Sequence, residues 1–289
     1  SFVLALALST PGFAGLLLPA DRVEAELRQI SYRPTTTDSV SKYVLIRSAF
    51  DALAPTRVVE QLNALARQEA GPLLAWRAVV DLARHGQMIQ TAQEARFGVV
   101  SGWRTSSGVL TSTLAESHEA MVEQGGSDPA SLSSWSRAMI SKSSGAVHEM
   151  GSDRGRGVQH FVTEVYALKD TVVHLRLGVS GAVVATLDGA WLGELPGVAF
   201  PAPDQVDVQL KLSAGTHHLM LSMATEPGQP CTLYARLVDG AGRRALFIDE
   251  RTPQSGWPTY ELSPRTDSSS MYAVVEALPA RADFGVRLR

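Results

Sequence analysis

From residue 161 onward, apolar and polar side chains alternate with a period of two. Phe161, Thr163, Val165 and Ala167 take turns with Val162, Glu164 and Tyr166, and Val173, Leu175 and Leu177 with His174 and Arg176. The same rhythm returns in Val183–Leu187, in Val206–Leu212, in His217–Met223 and in Leu233–Leu237, with a short segment Ala245–Ile248 at the end. Successive side chains of an extended strand point to opposite faces, so this pattern predicts strands with one face in a core. Turn signals lie between them, among them Ser180–Gly181, Asp188–Gly189, Ser213–Gly215 and Asp239–Gly242. Asp188–Gly189 between VVATL and AWLGEL is a strong hairpin signal, because a two-residue type I′ turn needs positive φ at both central positions. No helical period intervenes, which excludes a parallel βαβ sheet. About seven short strands of this kind predict an antiparallel two-sheet sandwich, jelly-roll-like in its spacing.

The first third of the chain has the other period. Val23, Leu27 and Ile30, then Val40, Tyr43, Val44, Phe50 and Leu53, recur at spacings of three and four. Clearer stripes follow in Val58, Val59, Leu62, Leu65 and Ala66, and in Leu73, Trp76, Val79, Val80 and Ala83. Pro55 suits the first turn of the third helix, and Arg84, His85 and Gly86 suit the end of the fourth. Short helices with short links predict helical hairpins. The fold class is therefore α+β with the two kinds of structure segregated along the chain. Four regions result: an apolar leader over 1–19, a helical segment over 20–95, a β-sandwich over 96–250, and a Pro-rich tail over 251–289. Within the third, residues 104–157 are rich in Ser, Gly and Thr and read as a long insertion, while FGVVSGW over 97–103 reads as a strand.

Composition narrows the functions. The 289 residues are 45% hydrophobic and 19% charged, with a net charge of −3. That balance buries a core and supplies no basic groove for nucleic acid. A single cysteine, Cys231, excludes an internal disulfide and a Cys-based zinc site, and its place at a strand start predicts a buried thiol. The run FVLALAL at 2–8, followed by Pro11–Gly12 and Ala14–Gly15, reads as a truncated signal peptide; it is too short to span a bilayer. Export to the periplasm or the outside is the expectation, with no membrane span in the mature chain.

Motifs for chemistry are missing: no phosphate loop, no HExxH, no GxSxG. Cys231 lies in a strand with no His after it, unlike a thiol nucleophile at a helix start. His217 and His218 are neighbours on one strand and face opposite ways. No catalytic residue, metal or cofactor is expected. Sugar sites on sandwiches use exposed aromatics with polar neighbours. Trp191, just past the Asp188–Gly189 turn, Tyr234 and Arg236 on the polar side of a late strand, and Trp257 in the tail are the candidate ligand contacts. Trp191 packed between sheets and Trp257 capping a sandwich edge are the structural alternatives for those two.

Laid end to end, HLRLGVSGAVVATLDGAWLGEL, DQVDVQLKLSAGTHHLMLSMA and CTLYARLVDGAGR resemble the galactose-binding-like and PA14-like sandwiches of exported bacterial multidomain proteins. The resemblance covers about 97–250 and rests on turn and core positions: Gly178–Gly181, Asp188–Gly189, Val206–Gly215, Leu219–Met223 and Ala235–Gly242. It implies a non-catalytic binding or spacer module, with carbohydrate or envelope glycan as ligand. Where PA14-type modules place paired aspartates, this chain has Val179–Ser180–Gly181. That loop offers no carboxylate for calcium, which needs about six oxygen ligands. The helical segment resembles tetratricopeptide-like helix pairs, implying a protein partner there. Two alternatives remain open: an accessory region of a larger transglutaminase-like enzyme or glycosidase, and a helical-repeat interaction scaffold.

Overall fold

The computed structural model describes residues 55–67, 72–84, 86–125, 135–150, 156–195 and 201–251, with residues 253, 258 and 260. The chain divides into two compact units, one of residues 1–89 and 276–289, the other of residues 90–275. The leader at 1–19, the two apolar stripes before residue 55 and most of the tail, Trp257 included, lie outside the described residues.

In the first unit, α1 (Pro55–Arg67) and α2 (Pro72–Arg84) form where the three-four spacing predicts them and pack against each other. Leu62 and Leu65 of α1 and Ala75, Trp76 and Val80 of α2 are sealed from solvent. Trp76 is thus a core residue. Past α2, Gly86 turns back with φ 88° and donates its N–H to the Ala83 carbonyl at 3.0 Å, the glycine stop that the sequence announces.

The second unit is two antiparallel sheets. Its strands are β1 (Arg104–Val109), β2 (Ser136–Arg137), β3 (Val147–Met150), β4 (Gly157–Ala167), β5 (Thr171–Val179), β6 (Val183–Leu187), β7 (Ala190–Leu195), β8 (Val206–Leu212), β9 (Gly215–Thr225), β10 (Pro230–Val238) and β11 (Ile248–Arg251). One sheet runs β2-β1-β4-β9-β6-β7, with β11 also on β4; the other runs β3-β10-β5-β8. β1 takes the first half of β4, opposite Gly157–Val162, and β11 takes its end, opposite Glu164–Ala167. From β4 to β11 the chain passes between sheets at every step except the β6–β7 hairpin. In that hairpin Asp188 and Gly189 have φ 50° and 74°, the two positive angles that the Asp-Gly signal foretells.

Alternate positions meet in one core between the sheets. Phe161, Val165, Leu219 and Leu221 from one sheet and Leu175, Leu177, Val208 and Leu233 from the other belong to a single buried cluster. Trp103 joins it, edge-on to Phe161 with ring centroids 6.1 Å apart. Cys231 is also there, 1% exposed, and burial raises its thiol pKa, so it stays protonated and inert.

Three sequence expectations need revision. FGVVSGW is not a strand: Phe97 ends α3 (Thr91–Phe97), and Gly98, at φ 68°, caps that helix in the left-handed conformation. Only Val99 bridges to a strand, at Arg236, while Val100 donates its N–H to the Ala235 carbonyl at 2.9 Å. Residues 104–157 contain β1, β2, β3 and the helix α4 (Leu114–Gln124), rather than loops alone. Thr113 caps α4: its hydroxyl accepts from the Glu116 N–H at 3.2 Å, and the Glu116 carboxylate accepts from the Thr113 N–H at 2.9 Å. The final strand begins at Ile248, because Ala245 still bonds to Leu237 and Phe247 turns through φ 66°.

Candidate functional site

Each sheet has an outward face, and both are largely covered. On the larger sheet α4 lies over β4, β9 and β6. Its apolar side, Leu114, Met121 and Val122, closes small clusters with Val158, Val162, Val184 and Met220. Between them stands His118, fully buried, whose ring bonds the hydroxyls of Ser222 at 2.7 Å and Thr186 at 3.1 Å. Ser222 reaches a second imidazole, His160, also at 2.7 Å, and Trp135 leans on the His160 ring. Burial lowers the His160 pKa to about 4, so that imidazole is neutral near pH 7.

Trp191 belongs to the same face. In register it opposes Thr186, on the edge strand β7, and it stands edge-on to His118 with ring centroids 5.9 Å apart. It is neither fully buried nor packed between the sheets. One flank rests on Leu114, Val158 and Val184, and the residue as a whole is half-buried. Glu194 projects from the same side of β7 and is exposed.

Nearer the hairpin, Asp188 gathers a polar cluster. Its carboxylate meets His217 Nδ1 at 2.6 Å and accepts the His218 N–H at 2.8 Å. The two imidazoles do point to opposite faces: His217 continues to the Ser213 carbonyl at 2.9 Å, and His218 bonds the Tyr260 hydroxyl at 2.6 Å. Burial opposes protonation of His217, but the Ser213 carbonyl and the Asp188 carboxylate outweigh it and raise its pKa. Burial dominates at His218, lowering its pKa against the pull of Glu164 and Asp188.

On the smaller sheet the outward residues carry charge. Arg236 grips Asp204 through Nε at 2.9 Å and again through Nη2, and donates Nη1 to the Phe97 carbonyl at 3.0 Å. Both partners are 1% exposed. On β5, Arg176 and His174 converge on the two oxygens of Asp207, at 3.0 and 2.6 Å. Tyr234 is 3% exposed. The chain passes directly over this face: a Cβ added to Gly178 would lie 1.8 Å from the Ala202 carbonyl oxygen. Tyr234 and Arg236 therefore do point away from the core, as the alternation requires, but into a covered layer and not to solvent. The expected wet face is a correction with a plain cause: α3 and residues 97–100 and 201–205 close it.

A cavity of about 140 Å³ opens beside this layer, between α3, the start of the following segment and residues 244–249. Glu94 lines it, nine-tenths buried, with one carboxylate oxygen on the Lys142 ammonium. Among the described residues no group of three or more His, Cys, Asp or Glu side chains is disposed to hold a metal ion.

The residues that sequence reasoning missed are those of α4. Thr113–Glu116 is a capping-box spacing, and Leu114, His118, Met121 and Val122 follow at helical intervals. That signal locates the helix and the side His118 takes. Its partners, 68 and 104 residues away, leave no local trace.

The fold so defined is a two-layer antiparallel β domain with capped outer faces. No family model matches the chain, and no curated protein matches it. Among solved structures it is similar to the PA14 domain of the MpAFP antifreeze protein, at 13% identity and a TM-score of 0.33, over 54% of this chain and 94% of that one. It is also similar to a family 35 carbohydrate binding module from an environmental isolate, at 12% and 0.28, over 37% of this chain and 80% of that one. The PA14 sugar-binding domain from an RTX adhesin matches at 12% and 0.26, over 52% and 76%. The two-sheet architecture stands on this chain's own strand pairing. Among the described residues no helix is long and apolar enough to cross a membrane.

Proposed function

We propose that residues 90–275 act as a non-catalytic glycan-binding module of an exported protein, with Trp191 as the stacking platform. The observation that carries this is the setting of Trp191: a half-buried indole on an edge strand, edge-on to a buried imidazole, with the exposed Glu194 carboxylate on the same side. A rigid aromatic face takes the C–H face of a pyranose at small entropic cost, and a nearby acceptor orients its hydroxyls. The ionisable groups of the covered faces are engaged in structural pairs, Arg236 with Asp204 and Arg176 with Asp207. That commitment favours binding over acid–base chemistry, which needs a group able to exchange its proton with a substrate. The apolar run at 2–8 supports export. Tyr234 and Arg236 serve the module by holding its smaller sheet closed.

Affinity electrophoresis in envelope polysaccharides, together with a glycan array, tests the reading. Retardation by at least one glycan is expected, weakened about tenfold in Trp191→Ala, equivalent to about 1.4 kcal/mol. Binding that survives the substitution, or a blank array, would overturn it.

A further inference from the structure

We propose that the cavity beside α3 is a second binding site, made for one uncharged, hydroxyl-bearing six-membered ring such as a terminal neutral hexose. The volume of about 140 Å³, close to the roughly 150 Å³ that holds a benzene ring, limits the ligand to one ring whose hydroxyl substituents extend out of the cavity. The lining sets the chemistry. Val99, Leu237 and Ile248 supply an apolar wall, while Glu94, Arg244 and Asp249 supply polar groups. An apolar floor with a hydroxyl-matching rim is the complement of a pyranose, which has a C–H face and a polar edge.

Two observations show that this wall has hydrogen-bonding capacity in reserve. Glu94 is 6% exposed and gives one oxygen to Lys142, yet its Oε1 has no hydrogen-bond partner. A buried carboxylate oxygen without a donor is uncommon and costly, and a hydroxyl is the donor it lacks. Arg244, which also lines the cavity, is exposed, and among the described residues no ion pair or hydrogen bond engages its guanidinium. It offers up to five N–H donors to hydroxyl oxygens.

Charge decides between ligand classes. Glu94 and Asp249 carry two negative charges, and Arg244 and the Lys142 bound to Glu94 carry two positive ones. The site is balanced, so an anionic sugar meets two carboxylates and a cationic one meets Arg244. A neutral ring meets both acceptors and donors. The site is separate from Trp191 and does not need it.

Saturation-transfer NMR on the full chain, with methyl glucoside, galactoside and mannoside against glucuronate, tests the inference. We expect at least one neutral hexoside to saturate in the millimolar range and glucuronate to transfer no signal. Arg244→Ala, an exposed position whose fold is checked by circular dichroism, should weaken that binding tenfold or more, and Trp191→Ala should leave it unchanged. Equal binding in Arg244→Ala, a preference for glucuronate, or no hexoside signal would overturn the site. Loss of hexoside binding in Trp191→Ala alone would place the ligand at the indole, sinking this inference and keeping the proposed function. No binding of hexosides here or of polymers in electrophoresis would remove both.

Discussion

The two outward faces of the β domain solve one problem in different ways. Each sheet turns polar side chains toward a layer that other chain segments cover, so each must satisfy those groups largely from within the protein. The larger sheet uses imidazole and hydroxyl groups: His118, His160, Ser222 and Thr186 share hydrogen bonds beneath α4. The smaller sheet uses charge: Arg236 with Asp204, and Arg176 and His174 with Asp207. A buried ion pair is not strongly stabilising in itself, but removing one partner strands the other charge. A hydrogen-bonded network of this kind loses less when one member goes, yet it depends on His160 staying uncharged. The faces should therefore fail under different insults.

The largest effect is expected on the charged side. Arg236→Met removes the guanidinium that faces the buried Asp204 carboxylate and one donor to the Phe97 carbonyl. It should cost about 3–5 kcal/mol in urea denaturation. Adding Asp204→Asn should recover part of that loss; a single variant within about 1 kcal/mol of wild type would erase the contrast between the faces.

Acid should act first on the larger sheet. The folded-state pKa of His160 is about 4, against an ordinary value of 6.5. Above pH 6.5 both folded and unfolded forms are neutral there and the full stability is present. As pH falls from 6.5 towards 4 the unfolded chain takes up a proton that the folded one refuses, so stability drops, by about 3 kcal/mol in all. Denaturation midpoints across that window measure the slope, and His160→Gln should flatten it. An unchanged slope in the variant would assign the acid response elsewhere.

Ser222→Ala sharpens the comparison at its small end. One hydroxyl serves two imidazoles, so its removal should cost about 1–3 kcal/mol, less than breaking the Arg236 pair. Thermal unfolding of the two variants side by side ranks them, and a larger loss for Ser222→Ala would reverse the reading.

Much of the architecture was readable in advance because it is local. A period of two is a property of each strand alone, and Asp188–Gly189 carries its positive φ angles in two adjacent residues. Where about seven strands were expected from Phe161 to Ile248, eight appear, β4 to β11, with the last displaced. Reading 97–103 as a strand failed because Gly98 serves the end of α3, a role that the local apolar pattern of 97–103 does not show. The candidate contacts fared according to distance. Trp191, two residues past its turn, emerged on an edge strand. Tyr234 and Arg236 were assigned to water because alternation says which way a side chain points, and not what lies beyond it.

By itself, then, the sequence determined periods, turns and the antiparallel pairing they impose, since these follow from neighbouring residues. Tertiary structure alone decided which outward faces are covered and what satisfies them. Asp204 reaches Arg236 across 32 positions and His118 reaches Ser222 across 104. No local pattern encodes such meetings, because they are selected by the burial free energy of the whole layer and not by the conformation of any one segment.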